Sequence, residues 1–187
     1  MGCSFLLTLC VTPLYTDSVE ELVDGKIISF VARGTNSGKT YILERIIEEL
    51  GKRGRTVAAL KHSVHLSSPD REGKDTYRFA QKGAARVILF SDHTLILYES
   101  TGPSPEYLIS LASMGVDIVL VEGYKHGPFR KIEVFNHALY DSPLCLEEST
   151  SDYIALISND RIEVEIPQFF FDDIAGICSF LEEQFMK

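Results

Sequence analysis

The chain has 187 residues, enough for one domain with a sizeable hydrophobic core. Its 45% hydrophobic and 24% charged residues are typical of an ordinary globular protein. A formal net charge of −9 argues against non-specific binding to nucleic acid and to anionic membrane surfaces, so a polyphosphate ligand requires a locally positive site.

Residues 1–24 precede the first patterned segment and are predicted to be an N-terminal extension of unknown role. The apolar run within them, residues 5–11, lacks the basic lead and the small-residue cleavage site of a signal peptide. No apolar run in the sequence is long enough to cross a membrane. The four cysteines show no metal-binding spacing, which favours a reducing, cytoplasmic compartment.

The first patterned segment is an apolar run at 27–32, followed by a glycine-bearing turn and then by helical spacing at 41–50. A strand, such a turn, Gly-Lys-Thr and a helix are the context of a P-loop. The alternative is a tight strand-to-helix turn in which Gly-Lys-Thr is accidental; the flanking strand and helix favour the P-loop. The predicted nucleotide-binding residues of this loop are Gly34, Thr35, Asn36, Ser37, Gly38, Lys39 and Thr40.

Each part of this loop has a physical role in binding phosphate. Gly38 lets the backbone approach a phosphate, and the N–H groups at the helix start form an anion-binding nest. Lys39 is expected to reach the outer phosphates, and the Thr40 hydroxyl to hold Mg²⁺. The loop departs from the full pattern at its first glycine, where Arg33 stands one place before Gly34. Because it borders the loop, Arg33 is a candidate for a cation supplied to the phosphates.

Strands and helices alternate along the rest of the chain. In order, the patterns predict a strand at 56–60, a short helix at 75–82, an antiparallel strand pair at 86–90 and 94–98, a helix at 105–114, strands at 117–121, 131–135 and 153–158, and a helix at 174–185 capped by Asp172-Asp173. We therefore predict an α/β fold of the P-loop NTPase type at 25–187, a doubly wound, mostly parallel sheet with helices on both faces and an antiparallel hairpin.

Polar residues follow several of the predicted strands, where ligands bind in such sheets. Glu122 ends the run at 117–121 as the acidic residue of a Walker B element does, and a carboxylate there can hold Mg²⁺ or orient an attacking water. Glu122 is thus the candidate catalytic residue and, with Thr40, a candidate metal ligand. The alternative for Glu122 is a solvated residue at a strand end.

Three further residues are weaker candidates for nucleotide contacts. Lys61 and His62 follow the second strand and can contact phosphate or an acidic group of a partner, although such residues are more often simply solvated. Asp160 can accept two hydrogen bonds from a guanine edge, but an Asn-Asp turn is the simpler interpretation. The charged segment 70–76 is typical either of a loop ordered by nucleotide or of a surface turn.

Taken together, these motifs resemble the MobB proteins of molybdopterin guanine dinucleotide biosynthesis. The matching segments, in family order, are Gly34 to Thr40, Lys61-His62, Gly73 to Thr76, Gly83 to Ala85, Val121 to Lys125, Lys131 to Phe135 and Ile154 to Asp160. The Walker motif is shared with many families, whereas Lys-His followed by Gly-Lys-Asp-Thr and Val-Glu-Gly-Tyr-Lys is much more specific. The sequence departs from the family at Arg33, at Asn159 and in residues 1–24.

The resemblance implies a protein that binds GTP and Mg²⁺ and is at most a weak GTPase. It also implies a homodimer, and an accessory role beside a molybdopterin guanylyltransferase of the MobA type, which attaches GMP to molybdopterin. One competing function is a P-loop kinase of small molecules, which needs a substrate lid and a mobile arginine that the sequence does not show. Another is a non-catalytic, nucleotide-dependent scaffold.

Overall fold

Alternating apolar strands and amphipathic helices build this fold, seen in a computed structural model that describes residues 25–63, 73–99, 102–148 and 152–186. The elements are β1 Ile27–Val31, α1 Lys39–Lys52, β2 Val57–Lys61, α2 Asp75–Gln81, β3 Arg86–Phe90, β4 Leu95–Glu99, α3 Pro105–Ser113, β5 Ile118–Glu122, β6 Arg130–Phe135, α4 Leu144–Glu147, β7 Tyr153–Ser158, β8 Gln168–Phe170 and α5 Ile174–Phe185. The predicted extension at 1–24 and the first part of the charged segment, 70–72, lie outside the described residues.

Six strands form one parallel sheet in the order β2-β5-β1-β6-β7-β8. The central strand β1 is buried along its whole length, as expected of a strand that is covered on both faces. Ile28 and Phe30 pack against α1 and α5, whereas Ile27 packs on the opposite face against Ile109 of α3. The predicted doubly wound α/β fold, with helices on both faces, is therefore confirmed.

The helices begin and end where the sequence places their caps. The Ser104 hydroxyl accepts a hydrogen bond from the Tyr107 amide at 3.2 Å at the start of α3, and the Asp173 carboxylate accepts one from the Gly176 amide at 3.0 Å at the start of α5. Helix α1 buries one stripe against the sheet and stops just before Gly54, whose φ is +78°. Among the described helices none is long and apolar enough to span a membrane.

Strands β3 and β4 form a separate two-stranded antiparallel sheet, which confirms the predicted hairpin. Its apolar side chains are largely exposed: Phe90 is 77% exposed and Leu95 69%. Neighbouring residues on a strand face opposite sides, and Ile88 and Leu89 are both about half exposed, so apolar side chains are exposed on both faces of the hairpin, although Val87 is buried.

Two short elements escaped the sequence patterns. Strand β8 has three residues and pairs with β7, and helix α4 has four. Neither is long enough to show a period of its own. Both lie near the phosphate loop, because Phe171 directly follows β8 and contacts the position of Gly38, and because α4 forms an ion pair with Arg33.

Candidate functional site

The carboxyl ends of the parallel strands bring the predicted site residues to one edge of the sheet. Lys61, the last residue of β2, lies in register with Glu122, the last residue of β5. On the other side of β5, Glu122 is in register with Phe30, which directly precedes the end of β1 and the loop 33–40. The loop that carries Asp160 leaves the same edge after β7.

The loop between β1 and α1 is the predicted phosphate loop. Asn36 and Gly38 have φ values of +61° and +96°, so the chain turns sharply before α1. Helix α1 starts with the Ile42 amide donating to the Gly38 carbonyl at 3.0 Å. The Gly34 carbonyl accepts from the buried Ser37 hydroxyl at 3.1 Å, which closes the loop on itself. Amides at the start of α1 remain to bind an anion.

Lys39 lies within this loop. Its Nζ donates to the Gly34 carbonyl at 2.8 Å. Burial lowers the pKa of Lys39, the carboxylate of Glu122 opposes that shift, and the nearby ammonium of Lys61 adds to it. The partner of this half-buried ammonium ion is thus a neutral carbonyl, and an anion bound in the loop would favour its charged form.

Glu122 joins the phosphate loop to strand β2. Its Oε1 accepts a hydrogen bond from the Thr40 hydroxyl at 3.1 Å and another from Lys61 Nζ at 3.1 Å. The Glu122 side chain is 17% exposed, whereas that of Lys61 is 63% exposed and can move away. The hydroxyl and the carboxylate are hard oxygen donors of the kind Mg²⁺ prefers, so these two residues fit the predicted metal site.

His62 and Asp160 have other contacts. The His62 amide donates to the Glu122 carbonyl at 3.1 Å, and its ring packs on Tyr124 with centroids 5.1 Å apart. That ring lines a mostly apolar cavity of about 440 Å³ between β2, β5 and α3. The Asp160 side chain is 56% exposed and lies 3.5 Å from the His137 ring. Its backbone is fixed by Ser158, and its carboxylate lies at the protein surface.

Aromatic residues that the sequence did not single out enclose the phosphate loop. A Cβ at Gly34 would contact the Tyr140 hydroxyl, and one at Gly38 would lie 3.0 Å from the Phe171 ring. Tertiary contacts therefore favour glycine at both positions, and at Gly38 the motif does so as well. No local signal in the sequence could identify Tyr140 or Phe171, because each comes from a distant loop.

Arg33 does not supply a cation to the phosphate loop in this structure. Its guanidinium forms an ion pair with Glu147 and donates to the Ser142 carbonyl at 3.2 Å. The hydrogen bond from Arg33 also lowers the pKa of Glu147. The pairing with α4 favours a structural role for Arg33, and an action of Arg33 on the phosphates stays a prediction.

In this chain the first strand of a parallel sheet leads through a glycine-bearing loop into a helix, and a Walker-type lysine and threonine face an acidic strand end. This arrangement defines a protein of the P-loop NTPase fold. The model of the family "MobB: Molybdopterin guanine dinucleotide synthesis protein B" matches residues 27–159. The chain belongs to this family.

Similar proteins agree with that assignment. A molybdopterin-guanine dinucleotide biosynthesis adapter protein of Haemophilus influenzae is 34% identical, over 79% of this chain and 83% of its own length. The Escherichia coli adapter protein is 30% identical, over 86% of this chain and 94% of its own. The crystal structure of Bacillus subtilis MobB superposes with a TM-score of 0.68 at 28% identity, covering 87% of this chain and 99% of that one.

Proposed function

We propose that this chain is an adapter protein of molybdopterin guanine dinucleotide biosynthesis that binds Mg²⁺ and GTP and works beside a guanylyltransferase. The observation that carries the proposal is the contact between the Thr40 hydroxyl and the Glu122 carboxylate, with Lys39 inside the adjoining loop. The family membership supplies the pathway, since related proteins are named adapters of this biosynthesis.

The phosphates of the nucleotide would bind in the loop 34–40. The amides at the start of α1 supply hydrogen bonds and the positive end of the helix dipole. Lys39 would leave the Gly34 carbonyl and contact the outer phosphates. Their negative charge would offset the cost of burying the Lys39 ammonium. Thr40 and Glu122 would hold Mg²⁺, which neutralises charge on the phosphate oxygens when bound. Lys61 would then leave Glu122 and can contact phosphate in turn.

Guanine would be read at the loop after β7. The loop that carries Asp160 leaves the same edge of the sheet. The Asp160 carboxylate is exposed, and its backbone carbonyl accepts hydrogen bonds from Ser158 and Gln168. A carboxylate can accept two hydrogen bonds from the N–H groups of guanine and is poorly matched to adenine. His137, at 3.5 Å, would orient the Asp160 carboxylate.

Hydrolysis by the isolated protein is expected to be slow. Among the described residues, Glu122 is the acidic residue that the motifs place at the candidate metal site. Arg33 is already paired with Glu147. P-loop enzymes without a supplied arginine run slower by roughly 10³–10⁵. The protein would therefore act by binding, and its nucleotide state would regulate contact with the guanylyltransferase.

The adapter is proposed to be a homodimer that pairs through the β3–β4 hairpin. An isolated two-stranded hairpin is marginally stable in water, and this one exposes apolar side chains on both faces. A second copy of the chain would cover them. Light scattering should give twice the chain mass for the wild type and a monomer for Leu95→Lys. Met114→Lys, at a residue 55% exposed on another surface, is the matched control and should remain dimeric. A monomeric wild type would refute the dimer.

The nucleotide proposal is tested by calorimetry with Mg-GTP and Mg-ATP. Lys39→Ala should weaken binding by about tenfold to a hundredfold, because a charge-assisted contact contributes roughly 1.5–3 kcal/mol. Lys52→Ala is the control, since Lys52 lies on the same helix and pairs with Glu48 on the surface. Equal affinity of wild type and Lys39→Ala would contradict the phosphate-loop assignment.

The adapter proposal needs a second measurement. Titration against the molybdopterin guanylyltransferase of the same organism should give binding that differs between GTP and GDP. The isolated chain with molybdopterin and Mg-GTP should form no dinucleotide. Product formed without the transferase, or transferase binding that ignores the nucleotide, would overturn the proposed role.

A further inference from the structure

Two adjacent carboxylates at the end of α4 hold the two chain segments that flank the candidate site. Glu147 forms an ion pair with Arg33, which directly precedes the phosphate loop. Glu148 forms an ion pair with Lys125, which lies three residues after Glu122 in the chain. One short segment therefore contacts both the loop that carries Lys39 and Thr40 and the turn after the candidate metal ligand.

Hydrogen bonds with strands β6 and β7 hold this segment in place. Glu133 of β6 is fully buried, and its two carboxylate oxygens accept the Leu144 amide at 2.7 Å and the Cys145 amide at 2.9 Å. These hydrogen bonds oppose the rise in the pKa of Glu133 that burial causes. From β7, the Tyr153 hydroxyl donates to Glu148 at 2.7 Å. Helix α4 is thus tied to two strands of the central sheet.

Both segments that α4 holds contain a residue other than glycine in the left-handed backbone region. Asn36 in the phosphate loop has φ +61°, and Tyr124, the residue before Lys125, has φ +57°. Asparagine enters this region readily, whereas a tyrosine persists there only where the surrounding structure determines it. The Tyr124 ring also occupies the space that a Cβ at Gly127 would need. External contacts are therefore needed to keep the turn at Tyr124 in its observed shape.

We propose that residues 144–148, here called the α4 clamp, position the phosphate loop against the Glu122 turn. The clamp keeps the Thr40 hydroxyl and the Glu122 carboxylate in their mutual contact before any ligand arrives. This inference rests on the proposed function for its consequence, since a pre-formed site binds more tightly than one that must first be assembled. It also gives a reason for an arginine at the first Walker position: Arg33 reaches Glu147, which a glycine cannot do.

Glu147 and Glu148 are positioning residues, and their expected effects are modest. The four side chains of the two ion pairs are between 31% and 46% exposed, and partly exposed pairs are weakened by solvent. The double variant Glu147→Gln/Glu148→Gln should weaken Mg-GTP binding by about threefold to tenfold, as each pair is worth little alone. The loss should be larger with Mg²⁺ than in EDTA, because the clamp sets the distance between the two metal ligands.

Hydrogen exchange without nucleotide tests the clamp directly. In the double variant, the amides of residues 34–40 and 123–125 should exchange several-fold faster than in the wild type. Glu48→Gln, which breaks a surface pair on α1 with Lys52, is the matched control and should change neither exchange nor affinity. The charge-reversed pair Arg33→Glu/Glu147→Arg should restore slow exchange in the phosphate loop.

The outcomes separate the clamp from the function on which its consequence depends. Unchanged exchange in both segments overturns the clamp. Faster exchange together with unchanged Mg-GTP affinity also overturns it as a positioning device. Faster exchange in a protein whose wild type binds no nucleotide upholds the clamp as a brace between the two loops and refutes the proposed function instead.

Discussion

Gly38 offers the sharpest test of the phosphate loop, because the structure gives both a backbone and a steric reason for glycine there. Its φ is +96°, and a Cβ added to it would lie 3.0 Å from the Phe171 ring. Gly38→Ala should therefore destabilise the fold and also hinder phosphate, since the motif needs this backbone to approach its ligand closely.

Gly54 provides a matched control. Its φ is +78°, and no atom lies within 4 Å of a Cβ placed there. The left-handed backbone costs a non-glycine residue about 1–2 kcal/mol, whereas replacing glycine lowers the entropy of the unfolded chain and so stabilises the fold by about 0.4–1 kcal/mol. Gly54→Ala should therefore cost about 1 kcal/mol. Gly38→Ala adds a close contact with Phe171, and such overpacking destabilises a fold by on the order of 1 kcal/mol. The difference between the two variants isolates that contact.

Thermal unfolding and calorimetry together measure the prediction. A domain of this size loses about 2–4 °C in Tm per kcal/mol, so we expect a fall of about 2–4 °C for Gly54→Ala and about twice that for Gly38→Ala. Mg-GTP affinity should drop at least about tenfold for Gly38→Ala only. Wild-type affinity in Gly38→Ala would show that phosphate does not bind at this turn. Equal Tm losses would show that the Phe171 ring gives way freely.

The contacts of three other carboxylates give predictions of their own. Asp160→Asn should reduce the preference for GTP over ATP by about fivefold or more in a competition titration, because unmade hydrogen bonds to the base cost about 1–3 kcal/mol; an unchanged preference would remove Asp160 from the base site. Glu122→Gln should lower GTP hydrolysis more than GTP affinity, and the reverse order would assign Glu122 to binding alone. Arg55 and Arg53 hold the pKa of Glu182 below its ordinary 4.5, so this carboxylate stabilises the fold above that pH and the effect is lost as pH falls through the lowered pKa. Urea unfolding of Glu182→Gln should therefore show a stability loss of about 1 kcal/mol or less near neutral pH that closes in acid, and a loss independent of pH would refute this.

The sequence predicted the sheet and its helices because these elements are long and strongly patterned. Strand β1 is apolar at four of its five residues, and β7 and α5 were placed at the residues where the structure has them. The exposed hairpin was also placed correctly, from two apolar runs separated by a short polar gap. Among the described elements, periodicity failed for β8 and α4, where three and four residues cannot establish a period.

The sequence predicted the candidate site residues that lie at strand ends, but it missed the side chains that reach the site from distant segments. Glu122 could be placed near Thr40 because both come after strands of one parallel sheet, and the two side chains are in contact. Tyr140 and Phe171, which enclose the loop, carry no motif and reach it only through the fold. A polar residue at the end of a strand can be recognised from its neighbours in the sequence. A side chain that packs on a loop from another segment has no such local pattern.

Arg33 shows the same limit most clearly. In the local sequence it is a departure from the Walker pattern and a cation beside phosphates. In the structure its guanidinium is paired with Glu147, at the end of helix α4. The two interpretations predict opposite results for Arg33→Ala: a cation acting on phosphate would affect the rate of hydrolysis, whereas a brace would affect affinity and the exchange of loop amides. Because the ion pair with Glu147 already holds the guanidinium, we expect affinity and exchange to change and the rate of bound nucleotide hydrolysis to stay the same.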